Sequence, residues 1–230
     1  MSAIINFIDD DMESLSLNDD NNKYNDRYVV VSIDIGVVNL GFCAAFVKKD
    51  FMLDEIFWID LIDITKFKHT EIKKQECKLN HTKTFSDWID HFIQENYQFF
   101  EQADFILLEN QPPQGFKVVE QILFSKFRSK CHLISPIKLH KFLNINHLVY
   151  EDRKIETIKT ALKLLSVPEL IEQFHYYNRK HDIADAICIL LYWIKNKTKE
   201  YYKQQNQDYV NSIDFNHKSL NKWFSQFKYK

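Results

Sequence analysis

The stretch Tyr28-Val29-Val30-Val31-Ser32-Ile33-Asp34 sets the reading of the fold. β-Branched and apolar residues fill it almost without interruption, the pattern of a strand covered on both faces. It closes on a carboxylate, and Gly36 and Gly41 bracket a tight connection beyond it. Gly41 to Val47 is again apolar, so the two segments are expected to form a hairpin, with Glu55 to Ile62 as a third strand. A second short apolar run, Asp104-Phe105-Ile106-Leu107-Leu108-Glu109, also ends in a carboxylate. Pro112, Pro113 and Gly115 force a loop after it. Cys131 to Ser135 supplies a fifth strand.

Between and after these runs the apolar spacing becomes helical. From Thr84 to Phe100, the residues Phe85, Trp88, Ile89, Phe92, Ile93 and Tyr97 share one face, and Thr84 can cap it. Val118 to Arg128, Lys138 to Leu143, Lys154 to Leu165 and a segment opened by Pro168 read as further helices. His181 to Lys195 is apolar nearly all round after its first turn, so it is expected to pack on the sheet. Three strands, helix, strand, helix, strand and then helices predict an α/β fold: a mixed five-stranded sheet flanked by helices.

The chain has 230 residues and a formal charge of -2. Residues 1–26 carry seven acids against Lys23 alone, which leaves the remainder mildly basic and open to a polyanionic partner. We therefore divide the chain into a disordered acidic leader (1–26), a folded domain (27–197) and a basic C-terminal extension (198–230) with a loose helix near Leu220 to Phe227. No apolar run is long enough for a membrane span, and the leader is neither a signal nor a transit peptide. Cys43, Cys77, Cys131 and Cys188 are scattered, and no His/Cys cluster stands out. They read as thiols of an intracellular, reducing compartment rather than as a disulfide framework or zinc site.

Carboxylates carry the chemistry. Asp34 and Glu109 each end an apolar strand, where an unpaired charge is costly. Taken singly, each is also what a turn or a solvated strand end would take. Asp182 and Asp185 stand at i and i+3 on the first turn of the last helix, a position the helix dipole favours for negative charge. Four acids converging on one place would repel one another without a cation between them. Their hard oxygens favour Mg²⁺, with Mn²⁺ as a substitute. Two such ions about 4 Å apart suit in-line attack of water on a phosphodiester, one activating the water and the other stabilising the leaving oxygen.

Four blocks occur in order: Asp34 to Asn39 (DIGVVN), Leu107 to Pro112 (LLENQP), Tyr150 to Lys154 (YEDRK) and Arg179 to Ala186 (RKHDIADA). Together they resemble the Holliday junction resolvases of poxviruses, relatives of the bacterial RuvC enzymes. The resemblance implies an RNase H-like fold, a homodimer, Mg²⁺ dependence and paired nicks across a branched, four-way DNA junction. It implies Asp34, Glu109, Asp182 and Asp185 as metal ligands and Lys154 as a catalytic basic residue, a cation near the developing phosphorane charge. For a viral protein it implies the host cytoplasm. Val38 and Asn110 depart from the pattern, standing where basic residues are common.

Residues 116–160 are net positive, with Lys117, Lys126, Arg128, Lys130 and Arg153 as candidate DNA contacts beside the Glu109 strand. An actin-like or sugar-kinase ATPase would need further Gly-rich phosphate turns, and the chain has only 3 Gly. Another RNase H-fold nuclease, cutting RNA–DNA hybrids or flaps, would use the same carboxylates and stays open. A non-catalytic DNA-binding module would not need all four acids.

Overall fold

The computed structural model of the chain describes residues 26–66, 77–113 and 117–205. The acidic leader up to residue 25, Gly115 and the helix expected near Leu220 lie outside them. Five strands form one sheet: β1 Arg27–Ile35, β2 Asn39–Lys48, β3 Leu53–Asp63, β4 Phe105–Glu109 and β5 Cys131–Ile134. Their order is β3-β2-β1-β4-β5. β1–β2 and β2–β3 are antiparallel, whereas β1–β4 and β4–β5 are parallel. The expected mixed five-stranded sheet is the one observed.

Seven helices are described: α1 Phe85–Glu95, α2 Tyr97–Gln102, α3 Lys117–Lys126, α4 Pro136–Phe142, α5 Tyr150–Leu162, α6 Pro168–Tyr176 and α7 Lys180–Gln205. Side chains alternate across the sheet, which divides the core in two. Val30, Cys43, Ala45 and Leu107 pack with α7 and its neighbours α4 to α6. Val31, Ile33, Phe42, Ala44, Ile106 and Leu108 pack with α1, α2 and α3 on the other face. No helix among the described residues is long and apolar enough to cross a membrane.

Element ends differ from the sequence reading for identifiable reasons. The single helix expected from Thr84 to Phe100 is broken at buried Asn96, whose Nδ2 donates to Phe92 O at 2.8 Å and competes with the helical ladder. Thr84 caps α1 as expected, accepting from Asp87 N. α4 starts earlier than Lys138, with Pro136 in its first turn. α5 starts at Tyr150 rather than Lys154, with Glu151 and Asp152 in its first turn. α7 runs on to Gln205, so the boundary drawn at 197/198 falls inside one helix. Lys, Gln and Glu beyond Lys195 are good helix formers, and their polarity marks an exposed face rather than an end. Thr198 Oγ1 donates to Phe51 O at 2.7 Å, tying this stretch to the β2–β3 turn.

Candidate active site

β-Strand register brings the first two acids together. Ile33 pairs with Leu108 across the parallel β1–β4 ladder, which sets Asp34 beside Glu109 at the strand ends. Asp34 lies two residues beyond Ser32 and four beyond Val30, and Glu109 two beyond Leu107. Both therefore point to the face that α7 covers.

Two contacts bring the helix down onto that face. Gly41 is paired with Asp34 in β2, and a Cβ on it would lie 2.0 Å from the Asp182 carbonyl oxygen and 3.0 Å from Ile183 N. Only a residue without a side chain lets the first turn of α7 sit so close. One strand over, buried Ser32 donates from Oγ to Ala186 O at 2.7 Å. Asp182 and Asp185 are thereby held over the strand ends that carry Asp34 and Glu109.

The electrostatics follow from this crowding. Burial, then the charges of Glu109, Asp185 and Asp182, raise Asp34 well above the ordinary carboxylate range. Burial is also the main cause that raises Glu109, against hydrogen bonds from Gln111 and Asp34 that lower it. Asp185 is pushed up to about 7 by burial, Glu109 and Asp182, with Thr157 and Lys154 opposing. Asp182 is 6% exposed and engaged by Arg179 and His181. Arg179 Nε donates to its Oδ2 at 2.7 Å, and His181 Nε2 stands 3.0 Å from its Oδ1.

The donor set fits a hard divalent cation: oxygen atoms only, from acids that raise one another's pKa. Among the described residues, the group whose ligand atoms all fall within 4.8 Å is a different one, Cys77, His81 and His91. That corrects the sequence reading, which found no His/Cys cluster; the three meet only when the segment before α1 folds onto it.

Lys154 faces the carboxylates from the second turn of α5. Its Nζ lies 3.6 Å from Glu151 Oε1 and 4.1 Å from the Tyr150 ring centroid, and its charge acts on Asp185. The proposed DNA contacts divide. Lys117 stays at the carboxylate end, paired with Glu120 at 2.7 Å, while Glu120 accepts from Gln111 N at 2.6 Å. Arg153, beside Lys154, donates to Leu148 O at 2.9 Å. α3 then leads away from the site. Lys126 pairs with Asp90 at 2.8 Å, Arg128 lies 5.9 Å from the Phe124 ring centroid, and Lys130 donates to Phe100 O at 2.5 Å. Lys130 precedes β5 at its far end, roughly 13 Å along the strand direction from the level of Glu109. The structure does not bring these three to the carboxylates.

Several partners were not singled out from sequence. Gln111 donates from Nε2 to Glu109 Oε2 and to Ile35 O, the latter at 3.1 Å, bridging the ends of β1 and β4. Glu120 is 2% exposed and anchors the same loop. Thr157 on α5 hydrogen-bonds Asp185. Gln111 and Arg179 lie inside the quoted sequence blocks, which is the signal that could have found them; Ser32 and Thr157 carry none.

The profile of the family described as Poxvirus A22 protein matches residues 28–197. No curated protein sequence matches the chain. Solved structures that share its fold include two junction resolvases. The yeast mitochondrial Holliday junction resolvase Ydc2 superposes with a TM-score of 0.56 at 16% identity, over 77% of this chain and 85% of that one. The Fowlpox virus resolvase, in complex with its substrate Holliday junction DNA, gives 0.54 at 15% identity, over 73% of this chain and 97% of that one.

Proposed function

The chain belongs to the Poxvirus A22 protein family, and we propose that its carboxylate cluster hydrolyses phosphodiesters at four-way DNA junctions. The observation that carries this reading is the meeting of Asp34 and Glu109, on adjacent strand ends, with Asp182 in the first turn of α7 and Asp185 in its second, not in the first as the sequence suggested. Similarity in fold to two junction resolvases supports the choice of substrate.

Asp34, Glu109, Asp182 and Asp185 would hold Mg²⁺, with Mn²⁺ able to replace it. A bound divalent ion supplies a Lewis acid for the phosphate and lowers the pKa of water. The chain's own residues position the rest. Gln111 orients Glu109, Thr157 orients Asp185, and Lys154 places a cation where charge develops on the phosphate. Lys117 and Arg153 flank the site and can hold the DNA backbone, leaving their present partners to do so. One cluster per chain and two nicks per junction imply a homodimer. The cysteines Cys43, Cys77, Cys131 and Cys188 are free, in keeping with an intracellular reducing compartment and, for a poxvirus protein, the host cytoplasm.

The test offers labelled immobile four-way junction, matched duplex and RNA–DNA hybrid to the protein, each with Mg²⁺ and with EDTA, beside Asp182→Asn. Nicks in the junction alone, lost with EDTA and in the variant, are expected. Cleavage of the hybrid instead would move the activity to an RNase H-type enzyme.

A further inference from the structure

On the sheet face opposite α7, three side chains of another chemistry meet. Cys77 and His81 lie on the segment leading into α1, and His91 lies roughly two turns inside that helix. One potential ligand atom from each falls within 4.8 Å of the other two. Cys77 Sγ is 4.0 Å from His91 Nδ1, and the rings of His81 and His91 have centroids 4.8 Å apart.

The orientation of His91 is set by its other nitrogen. Its ring is buried, 1% exposed, and Nε2 lies 3.1 Å from the backbone oxygen of Asn80. A carbonyl only accepts, so Nε2 carries the hydrogen and Nδ1 turns its lone pair toward the cysteine sulfur. Histidines that bind metals are held in this way, with the second ring nitrogen donating to a carbonyl or carboxylate.

We propose that Cys77 Sγ, His91 Nδ1 and a ring nitrogen of His81 bind one zinc-class ion, distinct from the ions of the carboxylate cluster. A thiolate with two imidazoles selects a borderline-soft metal over Mg²⁺. Tetrahedral zinc with such ligands puts sulfur and nitrogen about 3.6 Å apart, so Cys77 and His91 need close by only a few tenths of an ångström. The ion fastens residues 77–84 to α1, and its fourth position is left to water or an added ligand.

The full-length protein is titrated with Co²⁺ in excess Mg²⁺, following the thiolate-to-cobalt charge-transfer absorption, and Zn²⁺ is then added to displace it. The same is done with Cys77→Ser and Asp34→Asn. One equivalent of Co²⁺ producing the band is expected, with Zn²⁺ abolishing it. Cys77→Ser should lose the band and bind Zn²⁺ roughly 100-fold or more weakly, while Asp34→Asn keeps both. Cobalt binding without a thiolate band, a band that survives Cys77→Ser, or no binding at all overturns the proposal. The wild-type titration decides by itself if the serine variant does not fold.

Discussion

At Asp185, burial and the neighbouring acids raise the carboxyl to about 7. An acid whose pKa is higher folded than unfolded holds more protons in the native state. Stability without metal therefore falls as pH rises from about 4, the unfolded value, through about 7. Asp34 is shifted the same way. Asp185→Asn is predicted to raise the melting temperature in EDTA at pH 8, with little gain at pH 4, while abolishing cleavage; thermal melts at the two pH values check it. Lys154 pairs with Glu151 and acts on Asp185 through its charge. Lys154→Ala is expected to slow junction cleavage by about 100-fold, the loss typical for one transition-state donor, with junction affinity changed only a few-fold. Single-turnover rates and a binding isotherm separate the two effects.

The site depends on how closely one helix lies on one strand. Gly41→Ala would place a methyl 2.0 Å from the Asp182 carbonyl, so α7 must move. Overpacking of that kind costs about 1–3 kcal/mol, and the prediction is a lowered denaturant midpoint together with cleavage reduced more steeply than stability. The strand-borne acids were legible in sequence only in combination, because a single Asp or Glu at the end of an apolar run also suits a turn or a solvated strand end. The i,i+3 spacing of Asp182 and Asp185 was legible on a helix otherwise apolar. Gly41 was read only as the edge of a turn, because its role is contact with a helix some 140 residues away in the chain. The direction of α3, which carries Lys126, Arg128 and Lys130 away from the acids, was likewise hidden. Net charge along a sequence does not say which end of a helix lies at the site. Asn96 broke α1 from α2 through a side-chain bond that propensity does not specify.

For the whole molecule, the mixed five-stranded sheet and its opening hairpin could be anticipated from the succession of elements; the strand order β3-β2-β1-β4-β5 comes from the structure. The ends of its interior strands β1 and β4 and the start of α7 place the acids at one end and on one face, so a divalent ion held by them would couple binding to folding. Saturating Mg²⁺ is predicted to raise the melting temperature at pH 8, as any ligand that prefers the native state does, and to do so much less in Asp185→Asn; calorimetry with and without the ion tests this. The most direct test of the central claim is strand-resolved cleavage of an immobile four-way junction by the full-length protein in Mg²⁺. Paired nicks on opposing strands, absent in Asp185→Asn although that variant still binds the junction, are the predicted result. A junction bound but left uncut in both Mg²⁺ and Mn²⁺ would contradict it.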